Sequence, residues 1–194
     1  MKKALILLLT ILLSTSLLAQ EETLVGEKFH SGGYGGPVSK LGLVNGKIGV
    51  FSGGRGGWII NHKFVIGGGG YGLSMDVETD QFSVNGKQLY LDMSYGGFEM
   101  EYIHNSDQVV HWTIHALLGS GTVKLREHDP NEVIESDRIY VVEPSFNVNF
   151  NITTWFRLGL GASYMLALGA ELGEITSSDI SGPSCLIIFK FGSF

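Results

Sequence analysis

The side chains that could do chemistry are few, and most carry a charge into surroundings that are otherwise apolar or glycine-rich. Arg55, Asp92, Glu99, Glu101, Glu143 and Arg157 are of this kind, as are Lys40 and Lys190, and His111 and His115 stand four residues apart. On a helix that spacing would put two imidazoles on one face as a metal pair. On a strand the two share a face but sit about 13 Å apart at roughly 3.3 Å per residue, too far to hold one ion without a third element. Gly67-Gly68-Gly69-Gly70-Tyr71-Gly72 satisfies the spacing G-x-G-x-x-G, whose phosphate-cradling chemistry needs a helix after the last glycine. Leu73-Ser74-Met75-Asp76-Val77 carries no helical pattern and runs into an acidic stretch, so the glycines serve the backbone and not a nucleotide.

Period-two alternation gives eight segments, near 31–43, 47–60, 64–75, 88–103, 109–125, 138–151, 155–167 and 183–194. In one of them Val110, Trp112, Ile114, Ala116 and Leu118 alternate with His111, Thr113 and His115. In the next, Tyr140, Val142, Phe146, Val148 and Phe150 alternate with Glu143, Ser145, Asn147 and Asn149. Phe156, Leu158, Leu160, Ala162 and Tyr164 alternate with Arg157, Gly159, Gly161 and Ser163. One face is continuously apolar and the other polar or tiny. On this parity Arg55, Asp92, Glu99, Glu101, His111, His115, Glu143 and Arg157 form one polar network on the second face, pairing with one another because an enclosed unpaired charge is costly.

The connections alternate too. Asn61-His62-Lys63, the stretch around His104-Asn105-Ser106-Asp107 and Ile152-Thr153-Thr154 are tight, whereas 75–87, 126–137 and 168–182 are long; Asn45-Gly46 is a two-residue hairpin signal. Of the 19 acids, 11 fall in the long connections: Asp76, Glu78, Asp80, Glu127, Asp129, Glu132, Glu135, Asp137, Glu171, Glu174 and Asp179. One rim is therefore anionic. Divalent cations shared with anionic head groups suit it, although Asp76-Val77-Glu78-Thr79-Asp80 lacks the remaining ligands of a calcium loop.

Met1-Lys2-Lys3, the apolar run Ala4 to Leu13 and Ser14-Thr15-Ser16-Leu17-Leu18-Ala19 have the layout of a secretory signal, with cleavage expected after Ala19. Residues 20–30 then form a short N-terminal segment and 31–194 a single domain. Loss of Lys2 and Lys3 lowers the basic count from 13 to 11 against 19 acids, a net charge of about −8 that argues against nucleic acid as a partner. Cys185 is alone, so no internal disulfide forms.

A soluble barrel and a membrane barrel show the same alternation turned inside out. The small residues Gly159, Gly161 and Ser163 opposite the apolar face fit the narrow interior of an eight-stranded barrel, and short turns on one side with long loops on the other are the habit of membrane barrels. With the terminal strand Cys185-Leu186-Ile187-Ile188-Phe189-Lys190-Phe191-Gly192-Ser193-Phe194, the whole mature chain resembles small bacterial outer-membrane β-barrel proteins of the OmpA/OmpX-like type. The resemblance implies an all-β, eight-stranded antiparallel up-and-down transmembrane barrel in the cell outer membrane, monomeric and without cofactor. Its partners would be outer-membrane lipids and the assembly machinery, which reads the terminal aromatic Phe194. Phe191, Phe189 and Ile187 have the opposite parity to Phe194, which a bulge near Gly192 would reconcile, and Pro144 interrupts a ladder in a barrel with no free edge.

A structural or surface-interaction role with a plugged polar interior follows. Two other readings compete: a lipid-modifying membrane enzyme, whose catalytic groups would have to face lipid where His111 and His115 face inward, and a secreted soluble ligand-binding barrel.

Overall fold

Asn45 and Gly46 take φ of 52° and 69°, the left-handed pair that a two-residue hairpin needs, and join β1 (Ser31–Val44) to β2 (Lys47–Ile60). Asn61 and His62, at 51° and 56°, turn the chain from β2 into β3 (Phe64–Leu73). The computed structural model describes residues 29–127 and 133–194. The expected signal peptide at 1–19, most of the segment 20–30, and Asp129 and Glu132 lie outside the described residues. After β3 come β4 (Val77–Phe82), β5 (Gln88–His104), β6 (Val110–Glu127), β7 (Val133–Asn151) and β8 (Phe156–Leu168). A small hairpin of β9 (Glu171–Leu172) and β10 (Ile175–Thr176), then a single turn α1 (Ser177–Ile180), lead to β11 (Gly182–Ser193).

Eight long strands, β1, β2, β3, β5, β6, β7, β8 and β11, pair antiparallel with both neighbours, and β11 closes on β1. Among the described residues no helix is long and apolar enough to cross a membrane. Following the pairing once round passes through Gly32, Ile59, Val65, Glu101, His115, Ser145, Ser163 and Ser184 and returns to β1 at Gly42, ten residues further on. Eight strands with that stagger enclose an interior wide enough for side chains and little else.

The bulge expected near Gly192 is not there. Tyr34 pairs with Gly192 and Val38 with Ile188 in one unbroken register, so Phe194 keeps the inward parity, and its ring lies 6.2 Å from Tyr34. The prolines cost ladder bonds and not register. β1 and β11 skip the positions around Gly36 and Pro37, β7 and β8 skip Glu143 and Pro144, and pairing resumes unchanged on either side.

The faces change character along the strands. In the half nearer the short turns, Phe98, Met100, Ile114, Leu118, Phe146 and Leu160 are exposed on the outside, while Glu99, Glu101, His115, Ser145 and Asn147 are buried within. Toward the long connections the same parity encloses Phe51, Leu91, Met93, Val123, Leu125, Ile139 and Val141, which join Leu172 and Ile180 of the loops in one apolar cluster. There the outside becomes polar, with Asp92 opposite Lys124 and Thr122 opposite Arg138. β5, β6 and β7 thus run on beyond the apolar band as a sheet folded like that of a water-soluble protein, with β4 on its edge.

Glycine is required where an enclosed side chain needs the space. A Cβ on Gly69 would overlap the Glu99 carboxylate and reach within 3.0 Å of Arg55 Cβ, and one on Gly161 would overlap the Asn147 amide. Gly69→Val is therefore expected to destabilise the barrel by about 1–3 kcal/mol or more through overpacking. Gly35→Ala, where an added Cβ meets nothing within 4 Å, should be silent. The fraction of chain that migrates as the folded form in unboiled, detergent-solubilised gels measures both.

Candidate functional site

The interior polar groups sort into three clusters, each centred on one glutamate. Glu143, from β7, accepts both contacts of Lys40 Nζ at 2.8 and 2.9 Å, the Tyr95 hydroxyl at 2.8 Å and the Ser163 hydroxyl at 2.7 Å. Lys40 Nζ also sits 3.3 Å from the centre of the Tyr71 ring, where the face of the π-system attracts it. This cluster brings β1, β3, β5, β7 and β8 together at mid-height, directly beneath the apolar cluster. Pro144 places Glu143 beside the gap in the β7–β8 ladder.

Glu101, from β5, takes Lys190 Nζ at 2.6 Å on one oxygen and the Tyr34 hydroxyl at 2.7 Å on the other, with Arg55 Nη2 at 4.0 Å. Glu99, two residues earlier and on the same face, accepts from the Tyr71 hydroxyl at 2.7 Å and lies 3.4 Å from His115 Nε2. The other His115 nitrogen, Nδ1, is 3.1 Å from Ser145 Oγ. Asn147 and Asn149 both donate to the Thr113 hydroxyl, at 3.3 and 3.2 Å. The bonds to the three glutamates from Lys40, Lys190 and the Tyr and Ser hydroxyls are charge-assisted, which makes them short and strong, and enclosure keeps water from competing for them.

Two more residues of the expected network lie at the short-turn end. His111 Nδ1 is 3.3 Å from the Gln108 carbonyl, and Arg157 donates to the Ser106 carbonyl at 3.3 Å, its guanidinium 4.0 Å from the centre of the Phe194 ring. His111 and His115 have separate partners, and among the described residues no group of three or more His, Cys, Asp or Glu is arranged to hold a metal.

Asp92 is a correction. Glu99 and Glu101 have odd numbers and the β5–β6 register runs without a shift from Leu89 to His104, so Asp92 must face the other way. It is half-buried on the outer surface opposite Lys124. Placing it inside requires an odd step that an unbroken strand does not have. Tyr34, Tyr71 and Tyr95, the hydroxyl donors to the three glutamates, escaped the sequence reading. The available signal was parity: Tyr71 and Tyr95 share a face with Gly69 and Glu99, and a ring there is enclosed.

The acids of the long connections divide by use. Asp76 holds Arg126 at 2.5 Å, and Asp137 accepts from the Glu171 and Arg138 backbone N–H groups at 3.0 and 2.7 Å. Asp179 accepts from the Thr176 hydroxyl and N–H at 2.7 and 2.8 Å, and the hydroxyl bond, then the backbone one, hold its carboxyl below the usual value. Its carbonyl receives the Asn45 N–H at 2.5 Å, tying the β1–β2 turn to the loop beneath β11. Glu78, Asp80, Glu135, Glu171 and Glu174 are exposed.

No protein-family model matches the chain, and no curated protein matches it. Solved structures do. Neisserial surface protein A superposes with a TM-score of 0.61 at 9% identity over 85% of this chain and 99% of its own. The N-terminal barrel domain of Pseudomonas aeruginosa OprF superposes at 0.54, with 9% identity over 84% and 96%. The attachment invasion locus protein Ail of Yersinia pestis gives 0.49, with 14% identity over 86% and 99%. The fold is that of small eight-stranded outer-membrane barrels.

Removing one partner of the central pair leaves the other charge enclosed. Lys40→Met is expected to destabilise the barrel by about 3–5 kcal/mol. Adding Glu143→Leu should recover most of that loss, a coupling readable from urea unfolding of the two single variants and the double. Equal and additive losses would show that the pair contributes nothing as a pair.

Proposed function

We propose that this protein is a non-enzymatic, monomeric resident of the outer membrane, and that its role is to hold a folded acidic surface outside the cell. The observation that carries the reading is the change of faces along β5, β6 and β7. Over the half nearer the short turns the outer face is apolar and the inner face polar, as hydrocarbon demands. Beyond Asp92, Thr122 and Tyr140 the arrangement reverses, as water demands. Trp58, Trp112 and Trp155 stand on the outer face near the short turns, the position of an interfacial aromatic girdle. The long connections then project from the opposite side of the membrane with a fold of their own, and Phe82 and Val84 at the tip of β4 are exposed beside Glu78 and Asp80.

The interior supports a plug and not a pore. The Lys40–Glu143 cluster and the apolar cluster above it fill the axis, so the barrel serves as an anchor for what it displays. The lipid-modifying alternative would use His111 and His115, and each is only 5% exposed, on the inner face. Outer-membrane lipids contact the apolar band, and divalent cations bridge the exposed carboxylates to anionic head groups. The assembly machinery engages the last strand, where Phe189 and Phe191 face outward and the Phe194 ring lies 6.2 Å from that of Tyr34.

Topology is the test. In a Cys185→Ser background, a membrane-impermeant maleimide should label Glu78→Cys on intact cells and Asn105→Cys only after permeabilisation. Label on Asn105→Cys alone, or release of the protein by a carbonate wash, would refute the reading.

A further inference from the structure

The enclosed ion pairs leave one cation over. Glu143 is matched by Lys40, Glu101 by Lys190 and more distantly by Arg55, and Glu99 faces His115. Arg157 is only 8% exposed and enters no ion pair among the described residues. Among the described residues its guanidinium donates to the Ser106 carbonyl and has one face covered by the Phe194 ring. A guanidinium this far out of water is costly without a counter-charge.

It does not face protein alone. Arg157 and Phe194 form the inner wall of a cavity of about 430 Å³ at the short-turn mouth of the barrel. His62 and Lys63, from the β2–β3 turn, stand on the same cavity, and Asp107 on the β5–β6 turn is the acidic side chain among its walls. His62 is held there in the left-handed conformation, at φ 56°, where glycine would be free of strain. A guanidinium, an ammonium and an imidazole thus line one space, a set of donors that suits a tetrahedral or planar oxyanion, for which Arg157 can supply two parallel bonds and Lys63 a point charge.

We propose that the short-turn mouth of the barrel binds a small oxyanion, a phosphate or a carboxylate, with Arg157 as its principal ligand and Lys63 and His62 as supporting charges. Such an anion reaches the mouth as a free solute or as the phosphate of a lipid head group, and the chemistry is shared.

Calorimetric titration of inorganic phosphate into the folded, full-length barrel in maltoside detergent at low ionic strength tests the site. Arg157→Gln should weaken binding at least about ten-fold and Lys63→Gln about three-fold, while Asp107→Asn, which removes the opposing charge, should tighten it about three-fold. Asp107 is exposed on a turn, so its variant reports on the site even where Arg157→Gln does not fold. Repeating the titration in phosphatidylcholine vesicles separates the two sources. Unchanged affinity identifies a soluble anion, and weaker affinity identifies competition from head-group phosphate; both carry the site. Absence of binding to the unaltered protein, or binding that Arg157→Gln and Asp107→Asn leave the same, overturns it.

Discussion

A strand surrounded by hydrocarbon has no water to bond its backbone, so every N–H and C=O must find a partner in the adjacent strand, and the sheet must close. In this chain closure falls to β1 and β11, whose pairing joins the two ends of the described barrel. The other features are consequences of that ring. Eight strands and a ten-residue stagger fix a narrow interior, so the side chains pointing into it are enclosed whatever their chemistry. Hydrocarbon outside fixes the apolar face. What remains free is how the interior is filled, and the chain fills it in two ways: with a charged network in one half and with an apolar cluster in the other.

The change between them is where the two solvents meet. Inside the membrane band the outer face must be apolar, and apolar residues on both faces would leave nothing to distinguish them. Above the band the outer face meets water, so the hydrophobic effect recruits the inner positions, and Leu91, Met93, Val123 and Val141 pack there as they would in a soluble sheet. The loops supply Leu172 and Ile180 to the same cluster, and the Asn45 to Asp179 backbone bond secures them. Among the described residues the projecting part is thus continuous with the barrel's own core.

Much of this was legible in the sequence because a strand's periodicity survives any environment. The eight long strands lie within a few residues of the segments read from alternation, except that β7 begins at Val133 and not near 138. Val133-Ile134-Glu135-Ser136-Asp137 has no alternation because it is exposed on both faces, so pattern could not find it. β4, β9, β10 and α1 were hidden in the long connections for a related reason: short elements carry too few residues to show a period. The inversion of faces was illegible in principle. Period two says that neighbours differ, and only the register of paired strands says which of them is inside. Asp92 is a separate case: it stands an odd step from Glu99 and Glu101 on one unbroken strand, so parity and not charge sets its face.

The charged half of the interior also explains why its members come from distant parts of the chain. Lys40 and Glu143 are 103 residues apart in sequence, Lys190 and Glu101 are 89 apart, and Tyr34 and Glu101 are 67 apart. None of these contacts can form in an open sheet, because each spans the lumen from one wall to another. In an unclosed intermediate the same groups would stay hydrated and cost nothing. Their desolvation is incurred only as the ring closes, at the moment when the complementary charge arrives to offset it. The network therefore contributes little to how each hairpin forms and much to which closed arrangement is accepted. A strand slipped by one residue would turn its own member of the network, Glu101, Glu143, Lys40 or Lys190, out into hydrocarbon and leave the partner enclosed and unmatched, a penalty that no alternative pairing could recover.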